Sequence, residues 1–182
     1  MTAVSYVIPN VLVGGTDTVS TTMEWFMLIM ILQPDLQKKI QEQIDDVVGR
    51  DQLPSLKDAS NMPLLEATIC EVLRYITVLP MTSRSVTKNT VLNGFTIKKY
   101  NPLLANFYQV HPNPKVWENS EEFRPERFMD GNGKFVGWSA FSQFVLFTEG
   151  RRICIGMAQA KVQLLLISSS FLYRFNDAFL WK

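Results

Sequence analysis

The sequence is poor in the residues that build metal clusters, disulfide frameworks and nucleic-acid surfaces. Among 182 residues it has two cysteines, Cys70 and Cys154, and one histidine, His111. Two cysteines are too few for a disulfide framework, and one histidine without partners is not a metal site. The net charge is only +1, so no basic excess points to nucleic acid as a partner. A free cysteine thiolate would require a reducing compartment.

Long apolar runs are also lacking. The longest, from Trp25 to Leu32, is preceded by Glu24 and followed by a glutamine and a proline. Since a membrane-spanning helix needs about 20 apolar residues, we expect no membrane anchor within this sequence. The hydrophobic content of 47% is ordinary for a globular domain, and the length is sufficient for a real core.

The most informative segment is a glycine-flanked cysteine loop at residues 147–156. Gly150 permits a positive-φ turn, and Gly156 would let a flat partner approach the backbone closely. The partial positive charge at a helix N-terminus would favour the thiolate form of Cys154, and that helix is predicted from apolar residues at Ala158, Val162, Leu165 and Leu166. A thiolate with Phe147 covering its sulfur suits an axial bond to haem iron. The alternative is a buried structural cysteine.

The loop resembles a known motif, which it matches at Phe147, Gly150, Arg152, Cys154 and Gly156. This motif is the cysteine-ligand loop of the cytochrome P-450 family, the haem-thiolate monooxygenases. The resemblance implies that Cys154 ligates the iron of haem b. It also implies electrons from NADPH through a reductase, and insertion of one oxygen atom from O2 into a small lipophilic substrate: a steroid, a fatty acid or an aromatic foreign compound.

Two arginines fall where the family places basic side chains on the haem propionates. Arg152 lies two residues before the cysteine, and Arg84 lies in a segment whose sequence pattern predicts a β-strand. A guanidinium suits a carboxylate because it can donate two parallel hydrogen bonds. Either arginine could instead belong to the solvent-exposed surface.

A second family segment is matched inside a helix predicted from Pro9 to Leu32, with the proline in its first turn. The pair Gly14-Gly15 is unfavourable there, by about 1 kcal/mol per glycine relative to alanine. The resemblance explains the pair as a local widening of the helix beside haem and dioxygen. It assigns proton relay to Asp17 and a role in oxygen activation to the Thr18 hydroxyl. Close helix packing at the glycines is the alternative.

A third match concerns support rather than catalysis. Glu71 and Arg74 lie three residues apart on a helix predicted from about Leu64 to Tyr75, where such a pair can meet. In most proteins this pair is a solvated surface bridge. The family pattern instead implies a largely buried network joined by Arg127, which would hold the segment before the cysteine loop.

The remaining local patterns are simpler. Residues 34–48 form an amphipathic repeat followed by Gly49, which predicts a packing helix with a glycine cap. The dipeptide Asn93-Gly94 between Thr90–Leu92 and Phe95–Ile97 predicts a β-hairpin. The fold class expected is α+β, mainly α, with a small antiparallel β portion, forming a C-terminal part of the cytochrome P-450 fold over residues 1–182.

The resemblance is greatest to the microsomal animal branch. Chains of the family are more than twice as long and begin with a membrane anchor. The complete protein is therefore expected at the cytosolic face of the endoplasmic reticulum membrane, and membrane association only through that missing segment. Several residues depart from the pattern and favour a relaxed or drifting sequence: Thr77, Ser120, Leu146, Thr148 and Glu149.

Two alternatives to an active monooxygenase stay open at this point. One is a non-catalytic remnant or splice form with no turnover, and the other is a haem carrier. For the 182-residue chain by itself we expect no monooxygenase activity, weak haem retention and poor solubility, because apolar helix faces would stay exposed.

Overall fold

A computed structural model describes residues 3–175 and contains four long helices and four short strands. The helices are α1 (Ala3–Leu32), α2 (Pro34–Val48), α3 (Pro63–Ile76) and α4 (Met157–Arg174). The strands are β1 (Met81–Ser85), β2 (Thr90–Leu92), β3 (Phe95–Ile97) and β4 (Pro102–Asn106). Short 3-10 helices occur at Leu56–Asn61, Phe107–Gln109, Pro125–Phe128 and Gly150–Arg152. The predicted fold class, mainly helical α+β with a small antiparallel portion, is confirmed.

The main core lies where the four helices meet. Each helix contributes a stripe of buried apolar side chains, and the stripes of α1, α2, α3 and α4 join into one cluster that includes Phe26, Met30, Ile40, Ile44, Leu65, Ile69, Leu165 and Leu172. A smaller aromatic cluster, built on Trp117 and Phe128, packs against the other side of α3. The segment before the cysteine loop is therefore attached to α3 by aromatic packing as well as by charge.

Helix α1 starts earlier than the sequence indicates. It begins at Ala3, so Pro9 lies inside the helix rather than in its first turn, and the predicted boundary is wrong by six residues. The helix extends upstream because residues 3–8 contain neither glycine nor proline; a proline early in a helix loses one amide hydrogen bond without necessarily ending it. Across residues 3–175, the length and apolarity required for a bilayer crossing are not combined in any helix.

The packing helices and the hairpin follow the sequence prediction closely. Helix α2 ends at Val48 and is capped by Gly49, whose φ of +72° and N–H bond to the Asp45 carbonyl form the predicted glycine cap. In the hairpin, β2 pairs with β3, and Asn93 and Gly94 have φ values of +47° and +82°, as a tight two-residue turn requires. Strands β1 and β4 pair outside this hairpin, with Arg84 opposite Leu103.

Candidate functional site

Three charged side chains form a buried network between α3 and residues 111–127, and we call Glu71, Arg74 and Arg127 the arginine clasp. The Glu71 carboxylate accepts from Arg74 Nε at 2.7 Å and from Arg127 Nε at 3.1 Å. The side chains of Glu71 and Arg74 are 0% exposed and that of Arg127 is 5% exposed. The predicted buried network is therefore present, with all three of its members.

Arg74 uses every donor that it has. Besides its bonds to Glu71, it donates to the backbone oxygens of His111, Ser120 and Glu122 at 2.9, 3.0 and 3.2 Å. Five hydrogen bonds match the five N–H groups of a guanidinium. Arg127 adds bonds to two further carbonyls, those of Glu118 and Asn119, and shares the Glu122 carbonyl with Arg74. The clasp therefore fixes the path of residues 111–127 against α3.

His111 belongs to this support through its hydrogen bond to Thr77. It is buried, and its Nδ1 lies 3.0 Å from Thr77 Oγ1, which itself donates to the Arg74 carbonyl. Because that hydroxyl proton is used, Nδ1 carries the imidazole proton. Burial and the nearby Arg74 guanidinium lower the pKa of His111 to about 4. Within residues 3–175 no three metal-ligating side chains cluster together, and an axial haem bond needs only one.

The cysteine loop is held by short-range hydrogen bonds. The Cys154 N–H donates to the Phe147 carbonyl at 2.9 Å, and the Thr148 hydroxyl donates to the Arg152 carbonyl at 2.9 Å. Gly150 has a φ of +74°, which confirms the predicted positive-φ turn. Helix α4 begins at Met157, three residues after Cys154, so the cysteine stands just before a helix N-terminus as expected.

The side chain of Cys154 is open to its surroundings. Cys154 is exposed, and the expectation that Phe147 covers its sulfur stays a prediction. Phe147 packs on Trp138, at 6.2 Å between ring centroids, which draws the ring into the aromatic cluster. A methyl group added at Gly156 would meet only the Cys154 sulfur, at 3.9 Å. The buried-cysteine alternative applies instead to Cys70, where burial raises the pKa well above that of an ordinary thiol.

The two predicted propionate arginines border one cavity. It has a volume of about 540 Å³, and its walls include Arg84 from β1, together with Thr148, Glu149, Arg151 and Arg152 from the cysteine loop. The Arg84 guanidinium is exposed and donates to Thr82 Oγ1 and to the Ser83 carbonyl. The structure therefore brings together Arg84 and Arg152, which are distant in sequence. Asp17 and Thr18 do not line this cavity.

Asp17 and Thr18 lie on the exposed half of α1. The Thr18 hydroxyl donates to the Gly14 carbonyl at 2.7 Å, a bond to the preceding turn that threonines often make in helices. Helix α1 continues as a regular α-helix through Gly14 and Gly15, so the widening expected there is not seen. Both glycines have open space around the position of a side chain, which argues against the close-packing alternative.

Sequence reasoning missed two contributors to the loop. Trp138 contacts Phe147, and the Lys161 ammonium of α4 lies 5.0 Å from the centroid of the Trp138 ring. This tryptophan therefore links the cysteine loop to α4. The sequence by itself marks Thr148 only as a departure from the family pattern. No local periodicity could have found either residue, because both act through contacts between separate turns of the chain.

Comparison with known proteins fits this geometry. A family model described as Cytochrome P450 matches residues 1–179. Cytochrome P450 2U1 of Homo sapiens is 40% identical over 174 residues, which are 95% of this chain and 31% of that protein. Cytochrome P450 1A2 of Homo sapiens is 40% identical over 154 residues, 84% of this chain and 30% of that protein. Cytochrome P450 2D15 of Canis lupus familiaris is 38% identical over 168 residues, 92% of this chain and 33% of that protein.

The chain thus spans about a third of the length of these relatives. The family model nevertheless covers nearly all of its residues. The family predicted from the cysteine loop is confirmed: the chain belongs to the cytochrome P450 family.

Proposed function

We propose that this chain provides the thiolate side of a haem monooxygenase, with Cys154 as the axial ligand of the iron. The observation that carries the proposal is an exposed cysteine in a hydrogen-bonded loop whose Arg152 borders one cavity together with Arg84. Cys154 itself does not line that cavity. Residues 1–182 would act as one partial domain of the enzyme. The activity that follows is that of an oxidoreductase acting with molecular oxygen.

The residues at the site fit the chemistry of haem b. Haem is a flat apolar disc with two carboxylates on one edge. Ile153 and Ile155, on either side of Cys154, are 43% and 87% exposed, which offers apolar surface next to the sulfur. The cavity adds three arginines and one carboxylate, that of Glu149, so the balance of charge favours an anionic edge.

When bound, haem would supply the centre at which dioxygen is reduced: one oxygen atom enters the substrate, the other leaves as water, and NADPH provides two electrons through a reductase. Cys154 would hold the iron, while Arg84 and Arg152 would orient the propionates. Asp17 would deliver protons from solvent, to which it is exposed. The Thr18 hydroxyl already donates its proton to Gly14, which leaves its oxygen able to accept a hydrogen bond.

We infer the partners and the location from what is general in the family. The proposed partners are an NADPH-dependent reductase and a small lipophilic substrate such as a steroid, a fatty acid or an aromatic foreign compound. The complete protein would act at the cytosolic face of the endoplasmic reticulum membrane, as members of the microsomal animal branch do.

The two cysteines allow a direct test of the ligand. Haemin is added to the chain, reduced and exposed to carbon monoxide, and the Soret band is recorded. We expect a thiolate-type band in the parent chain and in Cys70→Ala, because the buried Cys70 has no access to haem. Cys154→Ala should lose this band. An intact band in Cys154→Ala would refute the proposal.

The role of Thr18 has a separate test in any preparation that turns over. Thr18→Ala should keep haem but divert electrons from NADPH into peroxide, because proton delivery to oxygen is impaired. Thr16→Ala, an exposed threonine on the same helix, is the matched control. Equal coupling of NADPH use to product in all three chains would rule Thr18 out.

The exposed half of α1 favours a second candidate, a chain that does not turn over by itself. Every residue from 4 to 18 is exposed, including the apolar Val4, Tyr6, Val7, Ile8, Val11, Leu12 and Val13. An apolar surface of this kind drives association, and an open site admits water to the reacting centre. We expect associated chains, weak haem retention and no NADPH-dependent turnover. A monodisperse monomer with stoichiometric haem and turnover would overturn this candidate.

A further inference from the structure

Thr148 has a backbone conformation that its residue type disfavours. Its φ is +59°, in the left-handed region, which is unfavourable for a β-branched side chain. Such strain persists only where the surrounding structure imposes it, and it concentrates at functional sites. Two residues later Gly150 takes a φ of +74°, where glycine has no such penalty. The threonine therefore needs a compensating interaction.

Its own hydrogen bonds provide that compensation. The Thr148 N–H donates to the Val145 carbonyl at 2.9 Å, and its hydroxyl donates across the loop to the Arg152 carbonyl at 2.9 Å. The neighbouring residue Phe147 accepts the Cys154 N–H, also at 2.9 Å. Two adjacent residues thus tie the start of the loop to its end, one through the backbone and one through a side chain.

We propose that Thr148 is a positioning residue that preforms the cysteine loop before any ligand binds. Its hydroxyl fixes the peptide between Arg152 and Ile153, and this peptide sets the place of Cys154. Thr148 and Arg152 also line the same cavity, so one hydrogen bond would set both the ligand and the arginine. The consequence for haem rests on the function proposed above, whereas the rigidity of the loop does not.

Three variants separate the hydroxyl from the shape of the side chain. Thr148→Val keeps the β-branch and loses the hydroxyl, Thr148→Ser keeps the hydroxyl, and Thr148→Gly relieves the strain and loses the hydroxyl. Since a net hydrogen bond corresponds to about a fivefold change in an equilibrium constant, we expect the Kd for haemin to rise about fivefold in Thr148→Val. Thr148→Ser should stay within about twofold of the parent chain.

A readout without haem tests the rigidity of the loop directly. Hydrogen exchange of the Cys154 amide should be about fivefold faster in Thr148→Val and in Thr148→Gly than in the parent chain. It should be nearly unchanged in Thr148→Ser. The amide of the buried Val72 on α3 reports global unfolding, and equal protection there in every variant shows that the chain stays folded.

The outcomes distinguish the two proposals. Parent-like exchange at Cys154 in Thr148→Val, or equally fast exchange in Thr148→Ser, would overturn the positioning role. Haemin binding that survives Cys154→Ala would overturn the ligand role instead, and the exchange measurements would still decide the role of Thr148. The fraction of the ferrous carbon-monoxide complex with a thiolate-type band should fall in Thr148→Val and be retained in Thr148→Ser.

Discussion

The arginine clasp and the cysteine loop differ in how far the chain satisfies its own polar groups. In the clasp, five donors of Arg74 meet five acceptors, and the Glu71 carboxylate is completely buried. In the cysteine loop the backbone bonds are made, but the side chains of Cys154, Arg151 and Arg152 are exposed. The charges of the arginine clasp are paired within the chain, while the side chains that we propose to hold haem are exposed.

The physical reason for the difference is the cost of burial. A buried charge without a partner is strongly destabilising, so a network that supports the fold must be complete inside it. A side chain that binds an external group must instead stay accessible until that group arrives. Stability and function should therefore respond to different residues, and the following substitutions test this separation in order of expected effect.

Removal of the Glu71 carboxylate should have the largest effect. In Glu71→Gln two arginines lose their counter-charge, and we expect a loss of about 3–5 kcal/mol in the free energy of unfolding. Glu42→Gln is the matched control, because Glu42 pairs with Lys38 at 3.9 Å on the surface and should cost no more than about 0.5 kcal/mol. Urea denaturation followed by circular dichroism measures both. Similar losses in the free energy of unfolding in the two variants would show that the buried carboxylate is no more important for stability than the surface one.

The two halves of α1 offer the same contrast within one helix. Phe26 is 1% exposed and Leu12 is 63% exposed. Phe26→Ala should therefore cost about 3–4 kcal/mol through a core cavity, whereas Leu12→Ala should change stability by less than about 0.5 kcal/mol. Sedimentation should show reduced self-association in Leu12→Ala only. A stability loss at Leu12 near that at Phe26 would mean that the first half of α1 is packed.

Acid should lower the stability of the folded chain through protonation of His111. Its pKa is about 4 in the folded chain, below the usual 6.5, so between these pH values the unfolded chain binds a proton that the folded chain does not. Stability therefore falls as the pH drops from 6.5 to 4, by up to about 3 kcal/mol from this residue.

His111→Asn isolates this contribution. The asparagine amide can donate to Thr77 in place of Nδ1–H, but it does not titrate. The difference in free energy of unfolding between the parent chain and His111→Asn, measured at several pH values, cancels the carboxylates common to both. We expect this difference to change across the window from pH 6.5 to 4. A constant difference would show that His111 does not titrate as argued.

Substitution of the two cysteines should give the smallest effects on stability. Cys70 should matter for the free energy of unfolding, and Cys154 should matter for haemin binding. Cys70 is buried and Cys154 is exposed. Cys70→Ala should cost about 1 kcal/mol in the core and leave haemin binding through the loop intact. Cys154→Ala should change the free energy of unfolding by less than about 0.5 kcal/mol. A larger loss in the free energy of unfolding for Cys154→Ala than for Cys70→Ala would show that the cysteine loop stabilises the fold.

Departures from the family pattern show the limit of reading residues singly. Thr77 has a left-handed φ of +45° at the end of α3 and bonds to Arg74 and His111. The Ser120 hydroxyl donates to the Pro112 carbonyl at 2.6 Å, and its backbone carbonyl accepts from Arg74. Thr148 bridges the cysteine loop. The sequence marks these positions as unusual. Only the fold brings to them the carbonyls and the imidazole with which their hydroxyls form hydrogen bonds.

By itself the sequence determined the features that depend on neighbours along the chain. The apolar repeats fixed the buried faces of α2 and α3, Gly49 fixed a helix end, and Asn93-Gly94 fixed the hairpin. The spacing of Glu71 and Arg74 placed them on one side of a helix, and the cysteine loop identified the family. Local dihedral preferences and helical periodicity suffice for all of these.

Only the tertiary structure decided the features that join distant segments. It paired β1 with β4, brought Arg84 to the cavity that Arg152 also lines, and packed Phe147 on Trp138. It also left the first half of α1 exposed while the second half entered the core. Burial and the completion of hydrogen bonds depend on which segments meet across the fold, and no spacing along the chain encodes that meeting.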